Sequence, residues 1–361
     1  MTRRNWALFA ALCVIWGVPY LLIRVAVRDF APGTLVFART AIGGLVLLPF
    51  ALAAGGYGRV LRRWRPLLLF TVIEVAIPWL LLSDAEKVLS SSLSGLLVAA
   101  VPLVGVLVAR VVGSDDRGGG LLRYAGLLLG LVGVVVLLGL DVGQVRAGAL
   151  VEIAVVVVGY AVGPVIMAHR LADLPRIPVV SASLLLTAAG YLPYALLRWP
   201  ASISATAAWS VVGLGVVCTA LAFVVFFALI AGIGPARSTV ITYVNPAVAV
   251  LLGVLLLNER LTLGIAFGFP LILIGSVLAA RHERAPADGA VPEAVLAVTV
   301  CDDDPPGIDQ ESADPADAAQ STRTSPDGVA NTAATSPVSP SKGDSQSTAT
   351  PSSGWRADVP R

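Results

Sequence analysis

From Trp209 to Arg281 the chain runs through three apolar stretches, each close to the ~20 residues a helix needs to cross a bilayer core. The breaks between them are short and hold the few charges, Arg237, Glu259 and Arg260. Lipid tolerates no exposed loop backbone, so segments joined this tightly must be neighbouring antiparallel spans. No soluble architecture accommodates such a stretch, and the rest of the chain repeats the pattern.

Ten apolar segments follow one another: 6–27, 32–54, 67–83, 91–112, 121–140, 148–168, 179–197, 210–231, 236–257 and 263–280. Charged residues make up 13% of the chain, against roughly 25% in soluble domains, and mean hydropathy is +0.84. The expected fold is therefore an all-α polytopic membrane protein of ten transmembrane helices. The basic, apolar N-terminus resembles a signal peptide, but no A-x-A-like cleavage site follows, so we read it as an uncleaved first span.

Several function classes lack their residues. The two lysines, Lys87 and Lys342, lie outside any phosphate-binding loop, which argues against an ATPase. Cys13, Cys218 and Cys301 are scattered, as are His169 and His282. Metal, disulfide and imidazole chemistry therefore have no cluster to use, and we expect no cofactor, no metal and no enzymatic activity. The net charge of +2 gives no reason to expect nucleic acid.

Arginine bias in short loops sets orientation. With a cytoplasmic N-terminus, fourteen arginines fall on the inside, while Arg28, Lys87, Arg146, Arg198 and Arg260 fall outside. Both termini are then expected in the cytoplasm. Beyond residue 285 the chain turns to Pro, Ser, Thr and Asp, with almost nothing to bury. Residues 285–361 are expected to form a disordered cytoplasmic tail.

Punctuation recurs between the halves 6–140 and 148–281. Pro102 corresponds to Pro246, the pair Gly126 and Gly133 to Gly268 and Gly275, and Trp16 with Pro19 to Tyr160 with Pro164. Each half holds five spans, and an odd number inverts the second copy in the membrane. Inverted five-helix repeats are a transporter signature, with a substrate site near mid-bilayer at their interface. The glycine pairs 126/130, 159/163 and 264/268 have spacings that suit close helix contact.

The motif W-G-x-P-Y at Trp16–Tyr20, the stretch PGTLVFAR at 32–39, and the block from TALAFVVFF at Thr219 through NERLTLG resemble the EamA-type drug/metabolite transporters. The resemblance covers roughly 6–281. It implies a ten-helix carrier in the cell membrane that exports small metabolites, amino acids or toxic compounds, and it leaves the substrate open.

Candidate cavity residues follow from polarity at depth. Arg39 lies well inside the second segment, where a lone charge costs ~2.5 kcal/mol or more, so it must face a cavity or a partner. It is an anchor for an anionic group or a helix-locking arginine. Glu74, near the middle of the third segment, is the candidate proton-coupling group or reader of a cationic group. Its alternative role is an ion pair with Arg39. Trp16, Tyr20, Trp79, Tyr160, Tyr243 and Asn245 are candidate cavity residues, although aromatics also form interfacial belts. Pro19, Pro78, Pro102, Pro164 and Pro246 are candidate kinks. Arg24 is expected to snorkel outward, Glu259 with Arg260 to form a structural turn or cap, and Glu86 with Lys87 to form a solvated loop.

The functional expectation is a secondary carrier working by alternating access, with the bilayer and a small-molecule substrate as its partners and protons as the candidate coupling ion. The reading from another class is a membrane-embedded sensor or scaffold that signals through its tail. Oligomeric state is not legible in the sequence.

Overall fold

The computed structural model describes residues 2–112, 121–141, 146–234, 238 and 240–281. The expected tail lies outside the described residues. Seven helices are long and apolar enough to cross a membrane: Arg3–Ala26, Pro32–Ala53, Trp64–Ala85, Ser91–Val111, Ala147–Arg170, Arg176–Leu197 and Ala205–Ile233. Three shorter apolar helices complete the set, at Tyr124–Gly139, Ile241–Leu257 and Leu263–Ala279. In chain order these are spans 1 to 10, and no strand occurs among the described residues. Large side chains such as Leu128, Leu131, Val135 and Trp209 stand exposed on the outside of the bundle, as a lipid-facing surface requires.

Boundaries shift where the sequence was least regular. Span 3 begins at Trp64, and a short helix, Tyr57–Arg62, precedes it, buried only at Val60. Span 8 starts at Ala205 rather than at 210 because Ser204 caps it, accepting from the Ala207 N–H. Span 4 breaks at Ala99–Ala100 and resumes at Val101. Pro102 explains the break: it has no N–H to offer the Val98 carbonyl, and its ring excludes that carbonyl.

The third span of each half carries a π-helical segment, Thr71–Ala76 in span 3 and Val216–Leu221 in span 8. Pro78 cannot bond the Glu74 carbonyl four residues back, so span 3 rearranges around Glu74. Span 8 has no proline there. The Thr219 hydroxyl instead donates to the Leu214 carbonyl at 2.7 Å, filling the widened turn. The helix continues through Pro19, Pro164 and Pro246.

The halves meet through glycine. A Cβ on Gly126 would lie 2.5 Å from the Ala279 nitrogen, and one on Gly133 would lie 2.6 Å from the Ile272 nitrogen. Spans 5 and 10 therefore pack backbone on backbone, as small residues allow in lipid. Spans 2 and 7 cross at Gly44, where a Cβ would meet Leu185 at 2.8 Å. These partners are the fifth span of each half and the second span of each half.

Candidate functional site

Arg39 is set in place by the approach of span 2 to span 8. A Cβ on Gly43 would lie 2.7 Å from the Thr219 methyl, and one on Gly215 would lie 2.6 Å from Ile42. This brings the Arg39 Nε within 3.1 Å of the Thr219 hydroxyl, to which it donates. The guanidinium lies over the Trp79 ring of span 3, 3.6 Å from the centroid. Arg39 is 7% exposed, Trp79 is also 7%, and Thr219 is fully buried. A stacked, singly hydrogen-bonded guanidinium keeps most of its donor fork for something else.

Around it stand Tyr20 of span 1, Tyr160 of span 6 and Cys218 of span 8, all within electrostatic reach of the charge. Four of the sequence-expected residues, Arg39, Trp79, Tyr20 and Tyr160, thus converge from four spans. Glu74 projects from the span 3 π segment against Gly163, where any side chain would collide with its carboxyl group. Its Oε2 is buried with no hydrogen-bond partner among the described residues. The expected alternative, a Glu74–Arg39 ion pair, does not form. The ion pairs among the described residues are Arg63–Asp173 and Lys87–Asp84.

The remaining expectations separate from this centre. Trp16 packs on Phe223 and Phe226 of span 8, with centroids at 6.3 and 4.8 Å. Asn245, with its amide oriented by its neighbours, donates to the Cys13 carbonyl at 3.2 Å and to the Ile241 carbonyl at 3.0 Å. It ties span 9 to span 1. The Tyr243 hydroxyl donates to the Ser276 carbonyl at 3.3 Å, on the span 10 side.

Two carboxylates clamp helix starts across the halves. Asp29, after span 1, accepts from the Ser204 N–H at 2.8 Å and from its hydroxyl at 2.5 Å. These two bonds hold its carboxyl below the usual carboxylate range. Glu259, after span 9, accepts from the Ser91 N–H at 2.7 Å and hydroxyl at 3.0 Å. It also accepts from the Ser92 N–H at 3.0 Å and hydroxyl at 2.5 Å. Asn258, at φ 54°, turns the chain so that this is reachable. Glu259 is a cap, as the sequence allowed, but for span 4.

Two sequence expectations are corrected here. Glu86 is not solvated: it is fully buried, while Lys87 beside it is exposed. Burial pushes its carboxyl well above the usual carboxylate range, and Arg24 beside it opposes that. Arg24 does not snorkel away, because its guanidinium donates to the Glu86 carbonyl. Thr219 and Glu86 were missed. Thr219 is one hydroxyl in an apolar run, while Glu86 sits beside Lys87 and reads as loop.

The description "EamA-like transporter family" matches residues 4–139 and again 148–281. The chain belongs to this family. It is 31% identical over 291 residues to the uncharacterized inner membrane transporter YedA of Escherichia coli (strain K12), covering 75% of this chain and 91% of YedA. It is 26% identical over 301 residues to the uncharacterized transporter YvbV of Bacillus subtilis (strain 168), covering 80% and 95%. A solved crystal structure of a protein matches with a TM-score of 0.58 at 24% identity. That match covers 79% of this chain and all of the other, and it bears on the fold alone. This EamA-family chain is thus a multi-pass membrane transporter, and Arg39, Trp79 and Thr219 lie where its two matched halves meet.

Proposed function

We propose that this chain is a secondary carrier that exports small organic molecules by alternating access of its two halves around the Arg39 centre. The repeats are 6–140 and 148–281, and both termini face the cytoplasm. The observation that carries the reading is Arg39. It is a charge buried at depth, held by a ring and one hydroxyl, with no acid paired to it among the described residues. Such an arginine is costly unless it meets an anionic group, so the substrate carries a carboxylate or similar anion. Glu74 carries the coupling proton: its buried oxygen lacks a partner among the described residues, and a neutral carboxyl tolerates that site where a charged one does not.

The test uses the purified protein in proteoliposomes, with a panel of amino acids, nucleosides and cationic drugs and an imposed pH gradient. We expect gradient-driven movement of compounds bearing an anionic group. Glu74→Gln is expected to bind substrate but to lose the response to the gradient. An unchanged response in that variant removes Glu74 from coupling. Absence of transport by folded protein removes the carrier reading in favour of a sensor or scaffold.

A further inference from the structure

The turns after spans 1, 3, 7 and 9 fall on one side of the membrane, since two crossings separate each from the next of the same parity. Both carboxylate clamps lie on that side, Asp29 on Ser204 and Glu259 on Ser91 and Ser92, each joining one half to the other. The polar ties on the opposite side are the Arg63–Asp173 pair, whose side chains are 51% and 57% exposed, Arg63 on the Arg170 carbonyl, and the Asn5 amide on the Gly232 carbonyl, beside apolar packing of Val60 and Leu67 on Leu171 and Leu174. Exposed pairs contribute little. The carboxylate clamps between the halves, a polar latch, lie on the first side.

Glu86 sits inside that latch. It is 0% exposed, and neither carboxyl oxygen has a hydrogen-bond partner among the described residues. Arg24 takes its backbone carbonyl rather than its carboxyl. The charged and titratable groups facing it are Arg24 and Tyr20 from span 1, Arg39 from span 2, Tyr160 from span 6 and Glu259 from the turn after span 9. Glu259 serves only as an acceptor, from four donors, which is the role of an ionised carboxylate. A charge on Glu86 would therefore be unsolvated, without donors and next to the Glu259 charge, a cost that Arg24 and Arg39 offset only in part. A neutral carboxyl avoids the repulsion and carries a much smaller desolvation cost. Tyr20 and Tyr160 lie within reach of both Arg39 and Glu86, so this end of the latch borders the central site.

We propose that Glu86 is a proton-binding site in its own right, which keeps this face closed while protonated and releases the Glu259 clamp when it ionises. The proton is exchanged with water on the latched face during brief openings, and ionisation is relieved only when that face admits water. The inference deepens the carrier reading and rests on it for the meaning of the gate. In the proposed orientation the gate is extracellular, so a proton taken up outside closes the outside.

The test is thiol labelling of the full chain in proteoliposomes, with Cys13, Cys218 and Cys301 changed to Ser. Ser94→Cys is the reporter: it is fully buried, one turn beyond the clamped serines. Val88→Cys, exposed in the same turn, corrects for thiol ionisation. With a membrane-impermeant maleimide, corrected labelling of the reporter is expected to rise with pH. A one-proton gate changes the open-to-closed ratio by up to about tenfold per pH unit. Glu86→Gln should give low, pH-independent labelling, and Glu259→Gln high labelling even at acidic pH. Labelling that ignores pH with Glu86 intact, or that keeps its pH dependence in Glu86→Gln, overturns the proposal. Should Glu86→Gln fail to assemble, low labelling in Glu259→Gln overturns it instead. Substrate flux is scored separately on the same vesicles. Flux with Glu86-independent labelling removes the gate and leaves the carrier, and Glu86-dependent labelling without flux of any panel compound does the reverse.

Discussion

At the scale of single residues, Arg39 is defined by shape as much as by charge. Its plane lies on Trp79, and one nitrogen is committed to Thr219. Lysine keeps the charge but has neither the plane nor the fork. We therefore expect Arg39→Lys to fold and yet to lose affinity for the anionic substrate by about tenfold or more, equivalent to ~1.4 kcal/mol. Substrate-induced thermal shifts check this, and an unchanged affinity would return Arg39 to a purely structural role. Arg39 stood out in the sequence because a charge deep in an apolar run must face a cavity or a partner. Thr219 and Glu86 were not legible in the same way. A hydroxyl is unremarked in an apolar span until a glycine across the interface, Gly43, lets it approach. Glu86 is buried by span 1 and by the turn after span 9, segments distant in sequence whose arrival no local pattern announces.

At the scale of elements, the ten apolar segments, their pairing into halves and the small-residue spacing were readable because lipid forces length and satisfied backbone on every span. What the spacing did not reveal was the partner of each glycine face. Gly126, Gly133, Gly268 and Gly275 serve one contact, span 5 on span 10, and Gly159 with Gly163 makes room for the rearranged turn holding Glu74. The two π segments were likewise hidden, since one arises from a proline and the other from a threonine hydroxyl. The glycine contact gives a direct prediction. In Gly133→Val the new side chain meets the Ile272 backbone nitrogen, which cannot move without shifting span 10. Overpacking of this kind costs ~1–3 kcal/mol or more. A matching fall in midpoint should appear in a thermal or denaturant titration in detergent. Gly139→Ala, where a Cβ would meet nothing within 4 Å, is the control and should be neutral.

At the scale of the whole molecule, orientation decides what the latched face means. In the orientation we propose from arginine bias, the turns after spans 1, 3, 7 and 9 lie outside, and those same turns carry Asp29, Glu86 and Glu259. The opposite turns hold Arg59, Arg62, Arg63 and Arg65, a cationic cluster suited to an anionic inner leaflet. In the orientation we propose, a carrier whose carboxylate clamps close the outer side would be poised to receive substrate from the cytoplasm. This predicts a labelling pattern in intact cells. A thiol at Val88, exposed after span 3, should react with an impermeant reagent added outside. One at Trp64, exposed at the start of the same span, should react only after permeabilisation. The reverse pattern would turn the molecule over, place the latch in the cytoplasm and make the same proton-sensitive gate an arrangement for uptake. The two-site comparison therefore fixes the direction in which every charge described above has to act.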